Sequence, residues 1–214
     1  MNTVYDAKIL GLPKIEDPRG NLSIIEQFKQ IPFEIKRTYW IYDVPGGKDR
    51  GAHAYKENEE FIVALSGSFD VELDDGRNKQ SFSLNRSYFG VYVPKGMWRT
   101  MKNFSTNSLA LVLSSTEYDK DDYIMDYEEF KAWVKNPSIK TTASGNETSV
   151  KVNNPSDSFS AKEGKSVFDC SLCELNKMHD VEGNLTYIYE NVHVPFSYLH
   201  HHQAQLQKHQ MQNS

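Results

Sequence analysis

The stretch RGAHAYKENEEFIVALSGSF, residues Arg50–Phe69, carries the spacing that decides the fold. His53 is followed at fixed intervals by Tyr55, by Glu60 and by a glycine. That spacing matches a metal-binding barrel motif, except that a tyrosine replaces the second of two histidines. Side chains alternate between the two faces of a strand, so His53 and Tyr55 share one face. We therefore expect both side chains to point into the mouth of a barrel.

A second spaced pattern lies further along the chain. It has the form Pro-x-Gly-x2-Arg-x3-Asn and runs from Pro94 to Asn103, with Arg99 at the position of a metal-ligating histidine. Together the two patterns resemble the two motifs of the cupin fold. The resemblance implies an all-β domain, a small antiparallel jelly-roll barrel. The four ligand positions of that fold fall on His53, Tyr55, Glu60 and Arg99.

The remainder of residues 1–134 also favours short strands. Segments rich in β-branched and aromatic residues alternate with turn clusters, and Asp75-Gly76 is typical of a hairpin turn. One short helix is predicted at 126–134, where apolar side chains recur on one face. The acidic run at 117–123 is expected to be a solvated loop before that helix. The expected strands lie within 37–44, 60–73, 80–93 and 108–115.

The four ligand positions suit proton transfer better than metal binding. Arg99 stays cationic and repels a divalent ion, and Tyr55 ligates a metal only as a phenolate. We therefore expect no metal and no cofactor. One imidazole beside phenols suits proton transfer next to a carbonyl, with Arg99 stabilising the charge of an enolate. A purely structural, hydrogen-bonded histidine is the alternative for His53.

Composition limits the partners and the compartment. The 214 residues carry a net charge of -5, which argues against a nucleic acid or an anionic membrane as the main partner. No apolar run approaches the roughly 18 residues of a membrane span. With two cysteines and no recognisable export signal, we expect a reducing cytoplasm.

The chain also contains a repeat. Residues 4–33 recur at 167–196 with a constant offset of 163 and no gap, and eleven of the thirty positions are identical. We interpret residues 166–196 as the truncated N-terminal part of a second domain. A flexible linker is expected at 135–165, which is rich in Ser, Thr, Asn and Lys, and a disordered tail is expected at 197–214.

Three segments of the first domain resemble the dTDP-sugar 3,4-ketoisomerases, metal-independent cupins of the WxcM-like group. They are PFEIKRTYWIYDVPGG, RGAHAYKENEEFIVALSGSFDVELDDG and VYVPKGMWRTM, within a resemblance that covers about residues 4–134. The resemblance implies conversion of dTDP-4-keto-6-deoxyglucose into its 3-keto isomer through an enediol or enediolate. Later amination would give 3-amino-3,6-dideoxyhexoses for surface glycans. It also implies a homodimer in which N-terminal strands are exchanged or packed between subunits.

The family pattern assigns roles to individual residues of this chain. It makes His53 the candidate base for the C3 proton, with Tyr55 and Tyr39 as further candidate catalytic residues. Cations suit the diphosphate, and Trp98 or Tyr39 offers a flat surface for thymine, with packing inside the barrel as the alternative for both aromatic residues. The candidate substrate-binding residues are Arg37, Arg50, Arg99, Trp98 and Glu60.

Two positions depart from the family pattern, because Tyr55 and Arg99 stand where histidines are common. A phenol is a weaker base than an imidazole but a possible acid, so the stereochemistry at C4 stays open. Two other functions also stay open: a nucleotide-sugar-binding cupin that has lost activity, and a metal-dependent cupin oxygenase. For residues 166–196, the alternatives are a poorly ordered remnant and a substitute for the exchanged N-terminal strands.

Overall fold

The structure, a computed structural model, describes residues 1–136, 175, 177–178 and 183–189. The tail predicted at 197–214 lies outside these residues, as does the predicted linker beyond Asn136.

Nearly all regular structure in the described residues is β-strand. The first seven strands are β1 (Lys8–Gly11), β2 (Lys14–Ile15), β3 (Leu22–Ser23), β4 (Arg37–Tyr42), β5 (Arg50–Tyr55), β6 (Glu60–Ser66) and β7 (Phe69–Asp74). The next seven are β8 (Lys79–Leu84), β9 (Phe89–Val93), β10 (Trp98–Lys102), β11 (Leu109–Ser114), β12 (Tyr123–Ile124), β13 (Lys177–Met178) and β14 (Asn184–Tyr189). Single helical turns occur at Val4–Asp6 and Lys120–Asp122, and the α-helix α1 spans Tyr127–Lys135.

The strands form two large antiparallel sheets and one separate hairpin. The first sheet has the order β1-β9-β6-β11-β4-β14-β13, and the second has the order β12-β5-β10-β7-β8. Strands β2 and β3 pair only with each other. Inward-facing apolar residues of both large sheets share one core, from Tyr39 and Ile41 on β4 to Val71 and Leu73 on β7. This arrangement confirms the predicted jelly-roll barrel.

Local signals explain several boundaries. The Asp75-Gly76 turn does connect two paired strands, β7 and β8, because the Asp75 carboxylate accepts hydrogen bonds from the amides of Arg77 and Asn78. Helix α1 begins after Asp126, whose side chain accepts a hydrogen bond from the Glu129 amide. The helix buries Phe130 against the second sheet.

The prediction of a solvated loop at 117–123 is wrong at its C-terminal end. Asp122 is buried, and its carboxylate accepts hydrogen bonds from the backbone amides of Glu57 and Asn58. The carboxylate therefore ties this segment to the β5–β6 connection and lets β12 pair with β5. Within the part of the chain described here, no helix combines the length and apolar character of a membrane span.

Candidate active site

Two neighbouring strands of the second sheet bring the motif residues His53 and Arg99 together. In the antiparallel pair of β5 and β10, His53 lies directly opposite Arg99. On β4 the burial alternates, so that Arg37 and Tyr39 point into the same interior. Glu60, at the start of β6, is 1% exposed. These positions come from three separate regions of the sequence, and only the barrel makes them neighbours.

The backbone beside His53 adopts a conformation that only a few residues tolerate. The register of β5 and β10 shifts between Arg99 and Thr100, and Gly51 and Ala52 have positive φ angles of 89° and 56°. A Cβ atom at Gly51 would lie 2.8 Å from the backbone oxygen of Arg99. The chain therefore needs glycine at position 51 to keep β5 close to Arg99.

A continuous set of polar contacts crosses the barrel interior. Nη2 of Arg99 lies 2.9 Å from Nε2 of His53, and Nε of Arg99 lies 2.8 Å from Oε2 of Glu60. The phenol of Tyr39 donates a hydrogen bond of 2.6 Å to the other oxygen, Oε1, of Glu60. Burial lowers the pKa of Arg99, but the Glu60 carboxylate and the neighbouring phenols together outweigh that effect and leave the pKa raised. Arg99 is therefore a fixed cation between the imidazole and the carboxylate.

The contact with Arg99 defines the tautomer of His53. A guanidinium has only N–H donors, so Nε2 of His53 must be the acceptor in this contact. A neutral imidazole then carries its proton on Nδ1. This tautomer is consistent with the hydrogen bond between the ring and the Gly51 backbone. The basic lone pair of His53 thus points at Arg99 rather than at the backbone.

The surroundings of His53 favour its uncharged form. Burial and then the positive charge of Arg99 lower its pKa to about 3, with further lowering by Arg37 and Arg50. The hydrogen bond to the Gly51 backbone acts in the opposite direction but is smaller. The residue as a whole is half-buried and so not fully enclosed. His53 is therefore a neutral proton acceptor throughout the neutral pH range.

We expect the pH dependence of kcat/KM to show no histidine titration near neutrality. The unfolded pKa of histidine is about 6.5, and the folded value is about 3. At pH values between the folded and the unfolded pKa, only the unfolded chain binds the proton. His53 therefore costs no stability at pH values above its unfolded pKa. It destabilises the fold as the pH falls from the unfolded pKa toward the folded pKa. A profile of kcat/KM against pH should be flat through the unfolded value. A half-maximal kcat/KM at a pH near the unfolded histidine pKa would contradict this prediction, provided that tryptophan fluorescence shows a folded protein at that pH.

Two phenol rings pack against the ring of His53. The ring centroid of Tyr55 lies 4.9 Å from that of His53, and the ring centroid of Tyr123 lies 5.1 Å from it. The two phenols are linked, with Tyr55 donating to the Tyr123 oxygen at 3.1 Å. Burial raises the pKa of Tyr55 well above its ordinary value. Tyr55 is thus a protonated donor at neutral pH, and not a base.

Arg37 supplies a second buried cation. Its guanidinium carbon lies 5.4 Å from the ring centroid of Tyr39 and 5.9 Å from that of Tyr118. Among the described residues its Nε has no hydrogen-bond partner. Burial opposes the charge, but the neighbouring phenols and Glu60 outweigh this and leave the pKa raised. A buried cation with a free donor is suited to an anionic ligand group.

The remaining predicted residues do not all join this cluster. Arg50 is half-buried on β5, and its charge reaches His53. Trp98 lies on the face of β10 opposite to Arg99, where its ring packs against those of Tyr127 and Phe130 at centroid distances of 5.2 and 5.6 Å. The structure therefore does not bring Trp98 to His53.

Tyr123 is the site residue that the sequence analysis missed. It belongs to the segment that was expected to be solvated, yet its ring contacts both His53 and Tyr55. The available signal was the pair Tyr123-Ile124, an aromatic and a β-branched residue directly before a helix cap. The neighbouring sequence does not indicate that Tyr123 and Ile124 form a short strand that pairs with β5.

The donor set at this site does not resemble a metal centre. The structure describes no group of three or more His, Cys, Asp or Glu side chains placed to hold a metal ion. The two residues of ligand type, His53 and Glu60, are both in contact with the Arg99 guanidinium. A fixed cation between them opposes a second positive charge.

Comparison with known proteins gives a consistent family assignment. A family model described as FdtA, WxcM-like, C-terminal, matches residues 5–135. A protein from Aneurinibacillus thermoaerophilus named TDP-4-oxo-6-deoxy-alpha-D-glucose-3,4-oxoisomerase is 43% identical over 127 residues, which is 59% of this chain and 91% of that protein.

Solved structures agree with this match. The TDP-quinovose 3,4-ketoisomerase WlaRB from Campylobacter jejuni is 47% identical, with 59% of this chain and 98% of that chain covered and a TM-score of 0.57. A histidine-to-asparagine variant of the 3,4-ketoisomerase QdtA from Thermoanaerobacterium thermosaccharolyticum, in complex with TDP-4-keto-6-deoxyglucose, is 32% identical. That match covers 61% of this chain and 95% of that chain, with a TM-score of 0.60. The relatives are thus matched over nearly their whole length by the first part of this chain.

Proposed function

Because this chain belongs to the FdtA family (WxcM-like, C-terminal), we propose that it is a 3,4-ketoisomerase of a dTDP-linked 4-keto-6-deoxyhexose. The relatives named above are 3,4-ketoisomerases or 3,4-oxoisomerases, and one was solved with TDP-4-keto-6-deoxyglucose. The observation that carries the proposal is the neutral, half-buried imidazole of His53 in contact with a buried cation. A binding protein without activity is not favoured, since these relatives are named as isomerases.

The proposed reaction removes a proton from C3 and adds a proton to the neighbouring carbon, C4. His53 takes the proton from C3, the C3–H electron pair forms a C3=C4 double bond, and the negative charge moves onto the C4 oxygen. A proton is then delivered to C4, and the proton of the C3 hydroxyl passes to the C4 oxygen, so that C3 becomes the ketone and C4 the alcohol. No net oxidant is needed, because C3 is oxidised as C4 is reduced.

Two buried cations of the barrel are placed to stabilise the negative charge that forms on the substrate. Arg99 and Arg37 are both buried and both stay charged, so either can stabilise an enediolate oxygen in a site of low polarity. Arg99 must also release Nε2 of His53 before that nitrogen accepts the C3 proton. We propose that the substrate oxygen takes over this hydrogen bond, which also makes His53 more basic at that moment.

The phenols complete the proposed site. Tyr55 carries a proton at neutral pH and lies beside His53, so it is the proposed acid or hydrogen-bond donor to the developing oxygen anion. Tyr39 acts through Glu60, which it helps to hold against Arg99. The face on which C4 receives its proton depends on which donor is used, and the product is therefore either the gluco or the galacto epimer.

Nuclear magnetic resonance of the reaction in deuterated water tests the function. Incubation with dTDP-4-keto-6-deoxyglucose is expected to give the 3-keto isomer with deuterium at C4, at a rate that chelator does not change. Binding of the nucleotide sugar without turnover would contradict the activity and favour the binding protein. Oxygen uptake that chelator abolishes would instead favour the oxygenase.

Replacement of Tyr55 by phenylalanine is expected to lower kcat about 100-fold, at the lower end of the usual range for a proton donor. Nucleotide binding is expected to stay nearly unchanged. The change removes the phenol that contacts Tyr123 and keeps the ring beside His53. Tyr92→Phe is the matched control, because its phenol also donates to a neighbouring group, Glu59, outside the site. Equal kcat values for the two variants would exclude Tyr55 from the proton transfer.

The compartment and the assembly stay predictions. The cytoplasm is the proposed location, as expected from the sequence. A homodimer is proposed for the domain alone, and the second copy of the hairpin bears on the assembly of the whole chain.

A further inference from the structure

The same small hairpin occurs twice in this chain. In the first copy, Lys14 pairs with Ser23 and Ile15 pairs with Leu22. In the second copy, Lys177 pairs with Thr186 and Met178 pairs with Leu185. The offset of 163 residues relates every member of these pairs, so the sequence repeat is also a repeat of strand register.

The two hairpins have different surroundings. In the first copy, β2 and β3 pair with no other strand, and Ile15 and Leu22 are 47% and 56% exposed. A cleft of about 690 Å³, lined by Lys14 and Ser23 on one side and by Tyr88 and Leu111 on the other, separates this hairpin from its own barrel. Among the described strands, the first hairpin therefore pairs with none of the barrel, although Nζ of Lys14 lies 5.5 Å from the ring centroid of Tyr88.

The second hairpin is docked on the barrel. All six residues of β14 pair with β4, from Asn184 opposite Tyr42 to Tyr189 opposite Arg37. Thr186 is only 6% exposed, and Leu185 and Tyr187 pack against the main core. This strand covers the edge of β4, which would otherwise offer unpaired backbone groups to another strand.

The side-chain contacts of the docked strand are available to the first copy as well. Nδ2 of Asn184 donates to Oδ2 of Asp43 at 2.9 Å, and the hydroxyl of Thr186 lies 3.3 Å from that of Tyr42. The equivalent residues of the first copy are Asn21 and Ser23, an identical amide and another hydroxyl. A first-copy hairpin from a second chain can therefore form the same contacts on β4.

A pair of equivalent glycines distinguishes the docked from the undocked copy. Gly20 and Gly183 are related by the repeat, and both have positive φ angles, 138° and 124°. A Cβ atom at Gly183 would lie 2.9 Å from Cγ2 of Val44, whereas one at Gly20 would meet none of the described residues within 4 Å. A side chain at these positions strains both backbones, but only at Gly183 does it also collide with the barrel.

The docked strand also completes the wall of the candidate active site. Tyr187 lies directly opposite Tyr39, the residue whose phenol holds Glu60, and the backbone of β14 continues to a position opposite Arg37. Without β14, the strand that carries Arg37 and Tyr39 would be the open edge of its sheet. The hairpin thus fixes the position of two proposed site residues.

We infer that the edge of β4 is a binding surface for this hairpin, occupied in the full chain by its own residues 177–178 and 183–189. When that hairpin is displaced, residues 14–23 of a second copy take its place. The full chain is thus a monomer with a complete barrel wall, and the exchanged dimer is the state of chains whose own second hairpin cannot dock. This inference concerns assembly, and it holds whether or not the isomerase proposal holds.

Light scattering coupled to size exclusion tests this inference on full-length chains at one protein concentration. The wild type is expected at the mass of one chain, 24.6 kDa. Gly183→Val is expected at twice that mass, because its own hairpin no longer fits against Val44. Gly20→Val, the matched control, is expected to stay at one chain. Gly20→Val/Gly183→Val is expected to return to one chain, since neither hairpin can dock.

Three outcomes would overturn the inference. They are a wild type with the mass of two chains, a Gly183→Val variant that stays at one chain, and a double variant that keeps the mass of two. Limited proteolysis gives an independent measurement. The wild type is expected to resist cleavage within 183–189, and the Gly183→Val/Gly20→Val chain to lose that segment rapidly. Equal rates of loss would also contradict docking within the chain.

Discussion

His53→Gln is expected to reduce the rate of isomerisation by roughly 10³-fold, within the usual contribution of a positioned general base. The glutamine amide places an oxygen near the position of Nε2 and still accepts the hydrogen bond from Arg99. An amide oxygen does not take up a proton from carbon at neutral pH. Turnover by nuclear magnetic resonance, with the nucleotide sugar at saturating concentration, measures the loss of kcat directly.

Two controls separate loss of the base from loss of the site. Calorimetric titration with dTDP should give nearly the same affinity for the variant and the wild type, because His53 is proposed to act on the sugar and not on the nucleotide. Thermal unfolding followed by circular dichroism should show that the barrel is retained. If the variant kept a rate within tenfold of the wild type, His53 would not be the base.

Glu60→Gln is expected to lower the free energy of unfolding by about 3–5 kcal/mol, the usual cost of removing one partner of a buried ion pair. The side chains of Glu60 and Arg99 are 1% and 3% exposed, so water cannot compensate the cation that remains. The amide keeps an acceptor for the Tyr39 phenol but leaves the Arg99 charge without its carboxylate. Urea denaturation followed by fluorescence measures the change.

A neighbouring glutamate provides the control for this variant. Glu59→Gln makes the same chemical change one residue earlier, at a half-buried carboxylate that accepts a hydrogen bond from Tyr92. Its expected cost is below about 1 kcal/mol, because an amide oxygen can keep that hydrogen bond and no buried cation is left unpaired. The double change Glu60→Gln/Arg99→Met should recover much of the lost stability, since the unpaired Arg99 charge is then removed from the interior. Equal stabilities for Glu59→Gln and Glu60→Gln would contradict this account of the ion pair.

The fold and part of the site were predictable from spacing alone. The two motifs placed His53, Glu60 and Arg99 in one barrel, and the period of two along β4 is visible in the sequence from Arg37 to Ile41. The same period explains why Trp98 is absent from the cluster. Adjacent residues of a strand point to opposite faces, so Trp98 and Arg99 cannot both face the interior.

Other features depend on pairings that no local pattern specifies. Tyr123 reaches His53 because Asp122 is buried against the β5–β6 connection, a contact between segments more than sixty residues apart. The sequence repeat was visible, but its position on the barrel depends on an edge of β4 left open by the rest of the sheet. The ion pair of Glu60 and Arg99 likewise follows from the closed barrel and not from either motif.

The strand on β4 has a consequence for how the protein responds to dilution. A hairpin from another molecule leaves when protein becomes scarce, whereas a tethered one experiences a local concentration set by the length of chain between Asn136 and Lys177. A barrel that carries its own closing strand therefore keeps its shape at concentrations where an exchanged pair would separate.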